Sequence, residues 1–314
     1  MSVTDMKGIN TMRVFITGAS GWIGSAVTDE LLAHDHQVLG LARSDEAAAS
    51  LRAKGAAVHR GSLDDVASLA AGARDADAVI HLAFKHDFSD YAGAGRSERA
   101  AVQGMLDVLE GSDRPFLLAS GLAGAVPGRL LTEQDASPFH GVASMRGGSE
   151  SLALEYAERG VRSVALRFSA TVHGTDDHGF IARLVQIAQE HGRSGYIGEG
   201  DNHWPAVHRQ DAARLVRLVR LALAKAPAGS RVHAVAEEGV ATREIATAIG
   251  AYLGVPTASV APEDAEAHFG WLGRFFGMEG SASSERTRTL LGWEPTGPTL
   301  LEDIAAGAYA AAIR

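Results

Sequence analysis

The chain has 314 residues, a formal net charge of -9 and no cysteine, and 46% of its residues are apolar. This length predicts two domains or one large domain, and the composition is that of a soluble globular protein. Disulfides, thiolate metal sites and cysteine nucleophiles are excluded. The acidic balance, with no basic block, argues against nucleic-acid binding. No apolar run approaches the roughly 20 residues of a membrane helix, so we expect a cytoplasmic protein that spans no membrane.

Residues 1–11 are polar and are predicted to form a flexible tail. Beyond them, short apolar runs alternate with segments that have helical spacing. The predicted elements, in chain order, are strand 13–17, helix 22–34, strand 37–42, helix 45–54, strand 57–59, helix 64–73, strand 78–82, helix 97–109, strand 115–119, helix 144–158 and strand 163–168. Such alternation is typical of right-handed βαβ units. It predicts an α/β fold with a doubly wound parallel Rossmann sheet over residues 12–172.

After Val172 the alternation loosens. The pattern predicts a smaller, mostly helical substrate-binding lobe over residues 173–314, interleaved in the chain with the first domain. Its predicted elements are helices 210–224, 242–253 and 300–313, a strand at 232–235, and glycine-rich loops at 174–179 and 192–205.

The first strand leads directly into a glycine-rich turn, TGASGWIG, at residues 17–24. Gly18 permits a tight turn, Gly21 lets a pyrophosphate approach the backbone, and Gly24 lets the following helix lie close to the sheet. Amides at the start of a helix bind phosphates, so this position predicts a dinucleotide site. The alternative is a glycine-rich turn without a ligand. The predicted contacts are Gly18, Ser20, Gly21, Trp22, Ile23 and Gly24.

The second strand ends at Arg43 and Ser44, where a site for NAD usually has a carboxylate that binds the ribose hydroxyls. A guanidinium suits the additional 2′-phosphate of NADP. The sequence therefore predicts NADP(H) as the preferred cofactor, bound in part by Arg43 and Ser44. Asp45 keeps NAD(H) possible, and Arg43 as a plain surface charge is the alternative.

Four further segments combine with this turn in one pattern. They are Leu63-Asp64, His81-Leu82-Ala83, the stretch from Leu166 to Gly174, and Val207–Ala213. From about Met12 to its C-terminus the chain thereby resembles the extended short-chain dehydrogenases/reductases of the NAD-dependent epimerase/dehydratase family. The resemblance implies that Leu63 and Asp64 lie at the adenine, that Leu82 and Ala83 line the cofactor, and that Phe168 and Ser169 lie beside the nicotinamide.

The catalytic positions depart from that family, which uses a serine after the fifth strand and a Tyr-x-x-x-Lys on the next helix. Here Gly121 falls at the serine position, with Ser120 one residue earlier, and Val142 and Arg146 fall at the tyrosine and lysine positions. Valine cannot transfer a proton, whereas arginine can bind the nicotinamide ribose in place of lysine. The chain therefore resembles an atypical branch of the family, with Ser120 and Arg146 as candidate site residues.

Another proton donor is then needed, and the segment after the fourth strand offers Lys85 and His86. Lys85 is also a predicted cofactor contact, through a hydrogen bond to the ribose. Histidine titrates near neutrality and suits a general acid, although a polar loop is the equal alternative. His140 and His173 are weaker candidates, and the spacing of the histidines matches no tight metal motif, so no metal is expected. The aromatic stretch 268–276 is interpreted as a cap over an apolar substrate, with a core helix or a dimer face as alternatives.

The leading functional hypothesis is an NADP(H)-dependent oxidoreductase that reduces a carbonyl on a small, largely apolar molecule. The alternatives are an NADP(H)-binding regulatory or sensor protein without turnover, and an epimerase, isomerase or lyase that uses the cofactor transiently. The expected partners are a small-molecule substrate and, in one arrangement, a second copy of the chain as a homodimer.

Overall fold

A computed structural model describes residues 11–86, 90–122, 129–221 and 227–313. Most of the predicted tail, residues 1–10, lies outside these ranges, as do Asp87 and Phe88 of the predicted acid-bearing segment. Within the described ranges, every helix is too short or too polar to cross a bilayer.

The first half of the chain alternates strands and helices, as its pattern predicts. The elements are β1 (Arg13–Thr17), α1 (Trp22–Leu32), β2 (Gln37–Ala42), α2 (Asp45–Ala53), β3 (Ala57–Arg60), α3 (Val66–Arg74), β4 (Ala78–His81), α4 (Tyr91–Leu109), β5 (Pro115–Gly121), α5 (Ser149–Glu155) and β6 (Arg162–Phe168). Helix α4 begins six residues before its predicted start, because the Asp90 side chain accepts a hydrogen bond from the Gly93 amide at 2.8 Å and caps the helix.

The second half contains short strands as well as the predicted helices. The elements are β7 (Thr171–His173), α6 (Phe180–His191), β8 (Ser194–Ile197), β9 (His203–His208), α7 (Arg209–Leu221), β10 (Ser230–Ala234), β11 (Glu237–Ala241), α8 (Thr242–Leu253), β12 (Thr257–Val260), α9 (Ala265–Phe269), α10 (Gly273–Phe276), α11 (Glu285–Leu291) and α12 (Leu300–Ala305). The predicted helix 300–313 is wrong beyond Ala305, since Gly307 takes a φ of 83° and a separate 3₁₀ turn follows at Ala310–Ile313.

The central sheet has seven strands in the order β10-β6-β5-β4-β1-β2-β3. Strand β1 pairs in parallel with both of its neighbours, Phe15 lying opposite Leu39 on β2 and opposite Val79 on β4. The order therefore reverses between β1 and β4, and ligands of such sheets bind at the carboxyl ends of the strands where the order reverses. The predicted doubly wound Rossmann sheet is confirmed.

Apolar side chains cover the sheet where helices α3 and α4 pack on it. Phe15, Phe116, Leu69 and Met105 belong to one buried cluster there. Gly72 on α3 has no side chain, and a Cβ at that position would lie 2.5 Å from the ring of Phe15. The helix can therefore lie directly on the aromatic ring, and the strand ends are fixed by a rigid core.

The predicted helix 144–158 is wrong at its N-terminal end. Arg146, Gly147 and Gly148 all have φ values between 52° and 62°, which lie in the left-handed region and cannot continue an α-helix. Regular helix begins only at Ser149. The turn lies against helix α4 at Gly95, where a Cβ would approach the Gly147 nitrogen to 2.9 Å. Gly147 and Gly148 permit the left-handed backbone of the turn, and the absence of a side chain at Gly95 permits its close contact with α4.

Two small sheets in the second half were not predicted, with orders β11-β9-β7 and β12-β8. Strand β8 and the first residues of β9 occupy the stretch 192–205, which is therefore not wholly loop. Residues far apart in the chain form these pairs, as when Ser194 pairs with Thr257. Short strands of this kind carry too few residues for a local pattern to reveal them.

The described residues form two compact units, and each unit draws on three stretches of chain. The first contains the chain up to Ala119 together with Phe139–Ala165 and Val219–Ser230; the second contains Ser120–Pro138, Leu166–Leu218 and the chain from Arg231 onward.

Candidate functional site

The glycine-rich turn follows the carboxyl end of β1 and brings the backbone of two strand ends together. Gly18 has a φ of 70°, and a Cβ there would lie 2.8 Å from the Ala83 nitrogen. The position thus needs glycine for its backbone conformation and for the close approach of the segment after β4. As a result, Leu82 and Ala83, predicted to line the cofactor, lie directly against the turn.

At the start of helix α1, Gly24 is closely packed against the turn, whereas Gly21 has few neighbouring atoms. A Cβ on Gly24 would lie 2.0 Å from the Gly18 carbonyl oxygen, so only glycine lets α1 pack on the turn. A Cβ on Gly21 would meet only that same oxygen within 4 Å. No side chain caps the helix at Gly21, and its first turn carries no acidic residue. This geometry fits a dinucleotide pyrophosphate above Gly21.

The predicted contacts within the turn differ in their exposure. Ser20 and Gly21 are exposed, whereas Trp22 and Ile23 are half-buried at the first turn of α1. At Gly21, which has no side chain, an anionic ligand would therefore meet the backbone amide directly.

His81, at the end of β4, connects that strand to Thr17, the first residue of the glycine-rich turn. Its Nδ1 lies 2.8 Å from the Thr17 hydroxyl, which also accepts a hydrogen bond from the Ala83 amide at 3.3 Å. His81 is fully buried. Burial, together with the nearby charge of Arg146, lowers the pKa of His81 to about 3. His81 is therefore neutral at physiological pH, and its geometry makes it a structural link rather than a proton donor.

The structure joins Lys85 to Asp64, although the sequence assigned them different roles. The Lys85 ammonium donates a short hydrogen bond to Asp64 Oδ1, and the Ser97 hydroxyl donates to the same oxygen at 2.7 Å. These two hydrogen bonds lower the pKa of Asp64. The three side chains line an open cavity of about 430 Å³, whose other lining residues are Asp90, Gly93, Ala94 and Arg96. Lys85 thus contacts Asp64, which the family resemblance assigns to the adenine. Leu63, the residue before Asp64, is half-buried.

Arg146 makes a bidentate ion pair with Glu98 of helix α4. Its Nε donates to Glu98 Oε2 at 3.1 Å and its Nη2 donates a short hydrogen bond to Oε1. The Glu98 side chain is only 1% exposed. Burial raises the pKa of Glu98, and the Arg146 charge opposes that change. Because a buried carboxylate without a partner is costly, this pair stabilises the left-handed turn at residues 145–148.

The guanidinium of Arg146 also lies over an aromatic ring, with its carbon 4.4 Å from the centroid of Phe84. The rings of His86 and Tyr91 lie edge-on to Phe84 at centroid distances of 5.4 and 5.7 Å. Arg146 thereby orders the segment that carries His86, a candidate acid whose own side chain is exposed.

Val142, at the tyrosine position, is 54% exposed and offers no labile proton. Ser120 is half-buried on β5, two residues beyond Leu118, which pairs with His81 on β4. Its hydroxyl therefore stands at the carboxyl edge of the sheet, where the sequence expects it. His140 is exposed in the stretch that precedes the left-handed turn.

Three other candidate residues of the second unit, Phe168, Ser169 and His173, are buried. The Ser169 hydroxyl donates to the Ala234 carbonyl at 2.7 Å, next to the buried Phe168. His173 Nδ1 lies 2.6 Å from Asp303 Oδ2, and burial lowers the pKa of His173 despite that carboxylate. Among residues 11–86, 90–122, 129–221 and 227–313, no three acidic or histidine side chains converge to bind a metal.

The aromatic stretch 268–276 divides between core and surface. Phe269 and Phe276 are buried in the core of the second unit, as the core-helix interpretation predicts. Trp271 and Phe275 keep one face exposed and lie 6.1 Å apart between ring centroids.

At the end of β2, the structure brings in a residue that the sequence analysis did not name, Arg60. Arg43 is exposed at the end of β2, and the Ser44 hydroxyl accepts a hydrogen bond from the Ala47 amide at 3.2 Å. Arg60, at the end of β3, donates to the Ser44 carbonyl at 2.6 Å and lies 3.0 Å from Asp45.

Glu98 was also missed, although the sequence carries a signal for it. It falls on the apolar face of α4 in register with the buried residues Ala94, Ala101 and Val102. A charged residue at such a position requires a buried partner, which a search for helix charge patterns can flag.

Comparison with known proteins supports the family resemblance that the motifs indicate. The sequence profile of the NAD-dependent epimerase/dehydratase family matches residues 14–234. An uncharacterised protein of Saccharomyces cerevisiae is 45% identical over 94% of this chain and 98% of its own. The 4-hydroxy-2-methyl-3-oxo-4-farnesyl-3,4-dihydroquinoline-1-oxide ketoreductase of Stigmatella aurantiaca is 30% identical over 55% of this chain and 54% of its own.

A solved structure with the same fold is that of a dTDP-glucose 4,6-dehydratase from Streptomyces venezuelae with NAD and TYD bound. Its TM-score is 0.75 at 22% identity, covering 95% of this chain and 96% of that chain. At this identity the likeness concerns the fold. The family profile goes further, because it matches more than half of the chain, and it confirms the resemblance: this chain belongs to the NAD-dependent epimerase/dehydratase family.

Proposed function

We propose that this chain is an NADP(H)-dependent oxidoreductase that reduces a carbonyl on a small, largely apolar molecule. The glycine-rich turn carries the proposal, because its open side above Gly21 and its uncapped helix start suit a dinucleotide. Membership of a family of NAD(P)-dependent enzymes agrees with it.

Two observations favour NADP(H) as the cofactor and an apolar carbonyl compound as the substrate. The exposed Arg43 at the end of β2 favours a cofactor with a 2′-phosphate over one without. The relative from Stigmatella aurantiaca is named a ketoreductase, and the compound in its name carries a farnesyl chain. Carbonyl reduction of an apolar molecule is therefore the activity we assign to this chain.

The reduced nicotinamide, when bound, supplies the hydride for such a reaction. The carbonyl oxygen then takes up a proton, which the chain must deliver without a tyrosine at Val142. Ser120 offers a hydrogen-bond donor at the edge of the sheet. Lys85 offers an ammonium that Asp64 orients, and His86 offers a titratable ring beside Phe84. We propose that Ser120 orients the carbonyl while Lys85 or His86 supplies the proton. For Lys85 this role requires that its partner Asp64 lies near the carbonyl and not at the adenine.

The role of Arg146 is refined in this proposal. Two of its nitrogens bind Glu98, so we propose that it contributes first by fixing the position of Phe84 and, through the Phe84 ring, that of His86. Direct binding of the nicotinamide ribose by Arg146 stays a prediction, as do the cytoplasmic location and the homodimer.

The test is oxidation of NADPH by the purified protein against a panel of apolar ketones and aldehydes, followed at 340 nm. We expect turnover, with the rates of Ser120→Ala and Lys85→Ala lowered about 100-fold or more, a larger effect than their loss of NADPH affinity. We expect His86→Ala to shift the pH profile of the rate. Unchanged rates and an unchanged profile in all three variants would contradict the proposed site.

A sensor without turnover is the second candidate, favoured by the exposed valine at position 142 and by the engagement of Arg146 with Glu98. It predicts tight NADPH binding and no oxidation with any substrate of the panel. A transient use of the cofactor, as in an epimerase, would instead give a changed product without net NADPH oxidation.

A further inference from the structure

Arg60 lies beside the end of β2 although it is 17 residues further along the chain than Arg43. Strands β2 and β3 pair in parallel, and the register places Arg60 opposite Ala42. Its guanidinium reaches the first residues after β2, donating to the Ser44 carbonyl at 2.6 Å. Arg43 and Arg60 therefore lie at the carboxyl ends of two neighbouring strands, at the same edge of the sheet.

The second contact of Arg60 is an exposed ion pair. Its Nη2 lies 3.0 Å from Asp45 Oδ1, and the two side chains are 49% and 102% exposed. Exposed pairs of this kind contribute little to stability, so another anion can take the place of the carboxylate. The hydrogen bond to the Ser44 carbonyl meanwhile keeps the guanidinium at this position.

We propose that Arg60 acts with Arg43 to select NADP(H) over NAD(H). In this arrangement both guanidinium groups bind the 2′-phosphate of the adenosine ribose, and the phosphate displaces Asp45 from Arg60. The inference rests on the proposed function, because it assumes that the glycine-rich turn binds the dinucleotide. It names Arg60 as a specificity-determining residue that the sequence pattern around β2 does not reveal.

The charges explain why the exchange favours phosphate. A phosphate monoester carries about -1.5 to -2 charges at neutral pH and presents three acceptor oxygens, whereas Asp45 carries a single charge. Arginine binds such groups through two parallel hydrogen bonds. Asp45 also favours NAD(H) less than a carboxylate without a cation beside it would, because Arg60 lies 3.0 Å from its Oδ1.

The experiment measures dissociation constants by calorimetry for NADPH, NADH, adenosine 2′,5′-bisphosphate and adenosine 5′-monophosphate. The last two probes differ only in the 2′-phosphate and require no turnover. The variants are Arg60→Gln, Arg60→Lys and Asp45→Asn, with Arg52→Gln as the matched control. Arg52 is an exposed arginine in the last turn of helix α2.

We expect Arg60→Gln to weaken NADPH and the bisphosphate roughly 10-fold or more, and to leave NADH and the monophosphate within about 2-fold. Arg60→Lys retains the charge but not the paired donors, so we expect an intermediate loss. We expect Asp45→Asn to tighten the two 2′-phosphorylated ligands by about 2- to 5-fold, because it removes the competing anion. Arg52→Gln should change none of the four constants.

The outcomes separate the two proposals. If the parent protein prefers NADPH and Arg60→Gln leaves that preference unchanged, the inference about Arg60 is overturned and the proposed function stands. If the parent protein binds NADPH no better than NADH, the cofactor preference itself is wrong. A loss of all four ligands in Arg60→Gln, with an unchanged melting temperature, would assign Arg60 to general binding and overturn its role in specificity.

Discussion

Two turns of the first unit differ in what determines their shape. At residues 17–24 the shape comes from missing side chains, since a Cβ at Gly18 or Gly24 would collide with backbone atoms. At residues 145–148 it comes from a buried ion pair, because Arg146 adopts a left-handed φ while its side chain binds Glu98. The first turn carries the glycine motif named in the sequence analysis, whereas the second contains Arg146, predicted to stand at the family's lysine position. The positions of glycines thus determine the first turn, and a side-chain contact between distant residues determines the second.

The largest effects are expected at the first turn, where Gly24→Ala and Gly21→Val should separate. A Cβ on Gly24 falls 2.0 Å from a carbonyl oxygen, so Gly24→Ala should lower the melting temperature and abolish dinucleotide binding. In Gly21→Val the added Cβ meets one backbone atom, the Gly18 carbonyl oxygen at 3.2 Å, so we expect a smaller loss of stability than in Gly24→Ala and loss of NADPH and NADH binding. Calorimetry and thermal unfolding of both variants measure the two effects.

The control for these variants is Gly277→Ala, where the added Cβ meets only ordinary contacts at 3.4 Å and the backbone φ is -84°. It should bind the dinucleotide like the parent protein. Retained affinity in Gly21→Val would contradict the phosphate-binding role of the turn.

The contrast between the turns also explains which features the sequence could predict. A glycine pattern encodes backbone geometry, so the turn at residues 17–24 and the Rossmann sheet follow from local sequence. The pairing of Arg146 with Glu98 joins residues 48 positions apart. Local periodicity carries no information about a pair of residues this far apart. The helix predicted at 144–158 therefore begins five residues before the observed helix does.

The same reasoning applies to Lys85, Asp64 and Arg60. From the sequence, a family motif makes Asp64 an adenine contact and its place after β4 makes Lys85 a proton donor, because each segment is taken alone. Their ion pair and the contact of Arg60 with Ser44 depend on the order of the strands. Residue types at strand ends are therefore predictable, whereas their partners require the fold.

The second largest effect is expected for Arg146→Ala. Its loss leaves the Glu98 carboxylate buried without a partner, which typically costs about 3–5 kcal/mol of unfolding free energy. We expect a destabilisation of this size in urea unfolding, with most of it recovered in Arg146→Ala/Glu98→Gln, since the double variant buries no charge. An exposed arginine gives the control, Arg52→Ala, which should change little. A stability equal to that of the parent in Arg146→Ala would show that the pair does not support the turn.

A third effect concerns pH and tests the link beneath the glycine-rich turn. The pKa of His81 in the folded chain is about 3, against about 6.5 for an unperturbed histidine. Because the unfolded chain takes up the proton first, this group's contribution to stability is present above pH 6.5 and is lost as pH falls towards 3. The slope is at most about 1.4 kcal/mol per pH unit.

We therefore expect His81→Asn to show a flatter pH dependence of unfolding free energy between pH 6.5 and 4 than the parent protein. The exposed His34 provides the control, since His34→Asn should keep the parent's slope. Parallel curves for His81→Asn and the parent protein would mean that His81 takes up its proton in the folded chain as readily as in the unfolded chain.

The smallest effect is expected for the ion pair between Lys85 and Asp64, and it sharpens the comparison with Arg146 and Glu98. The side chains of Lys85 and Asp64 are 37% and 64% exposed. A double-mutant cycle with Lys85→Ala and Asp64→Ala should give a coupling of about 0.2–1 kcal/mol at low salt. In 1 M salt the screening length is about 3 Å, so the coupling should vanish. The corresponding cycle for Arg146 and Glu98 should give several kcal/mol that salt hardly changes, because that pair is buried. Equal couplings with equal salt dependence would mean that the two pairs share one environment, and the contrast between an exposed cofactor edge and a buried turn would fail.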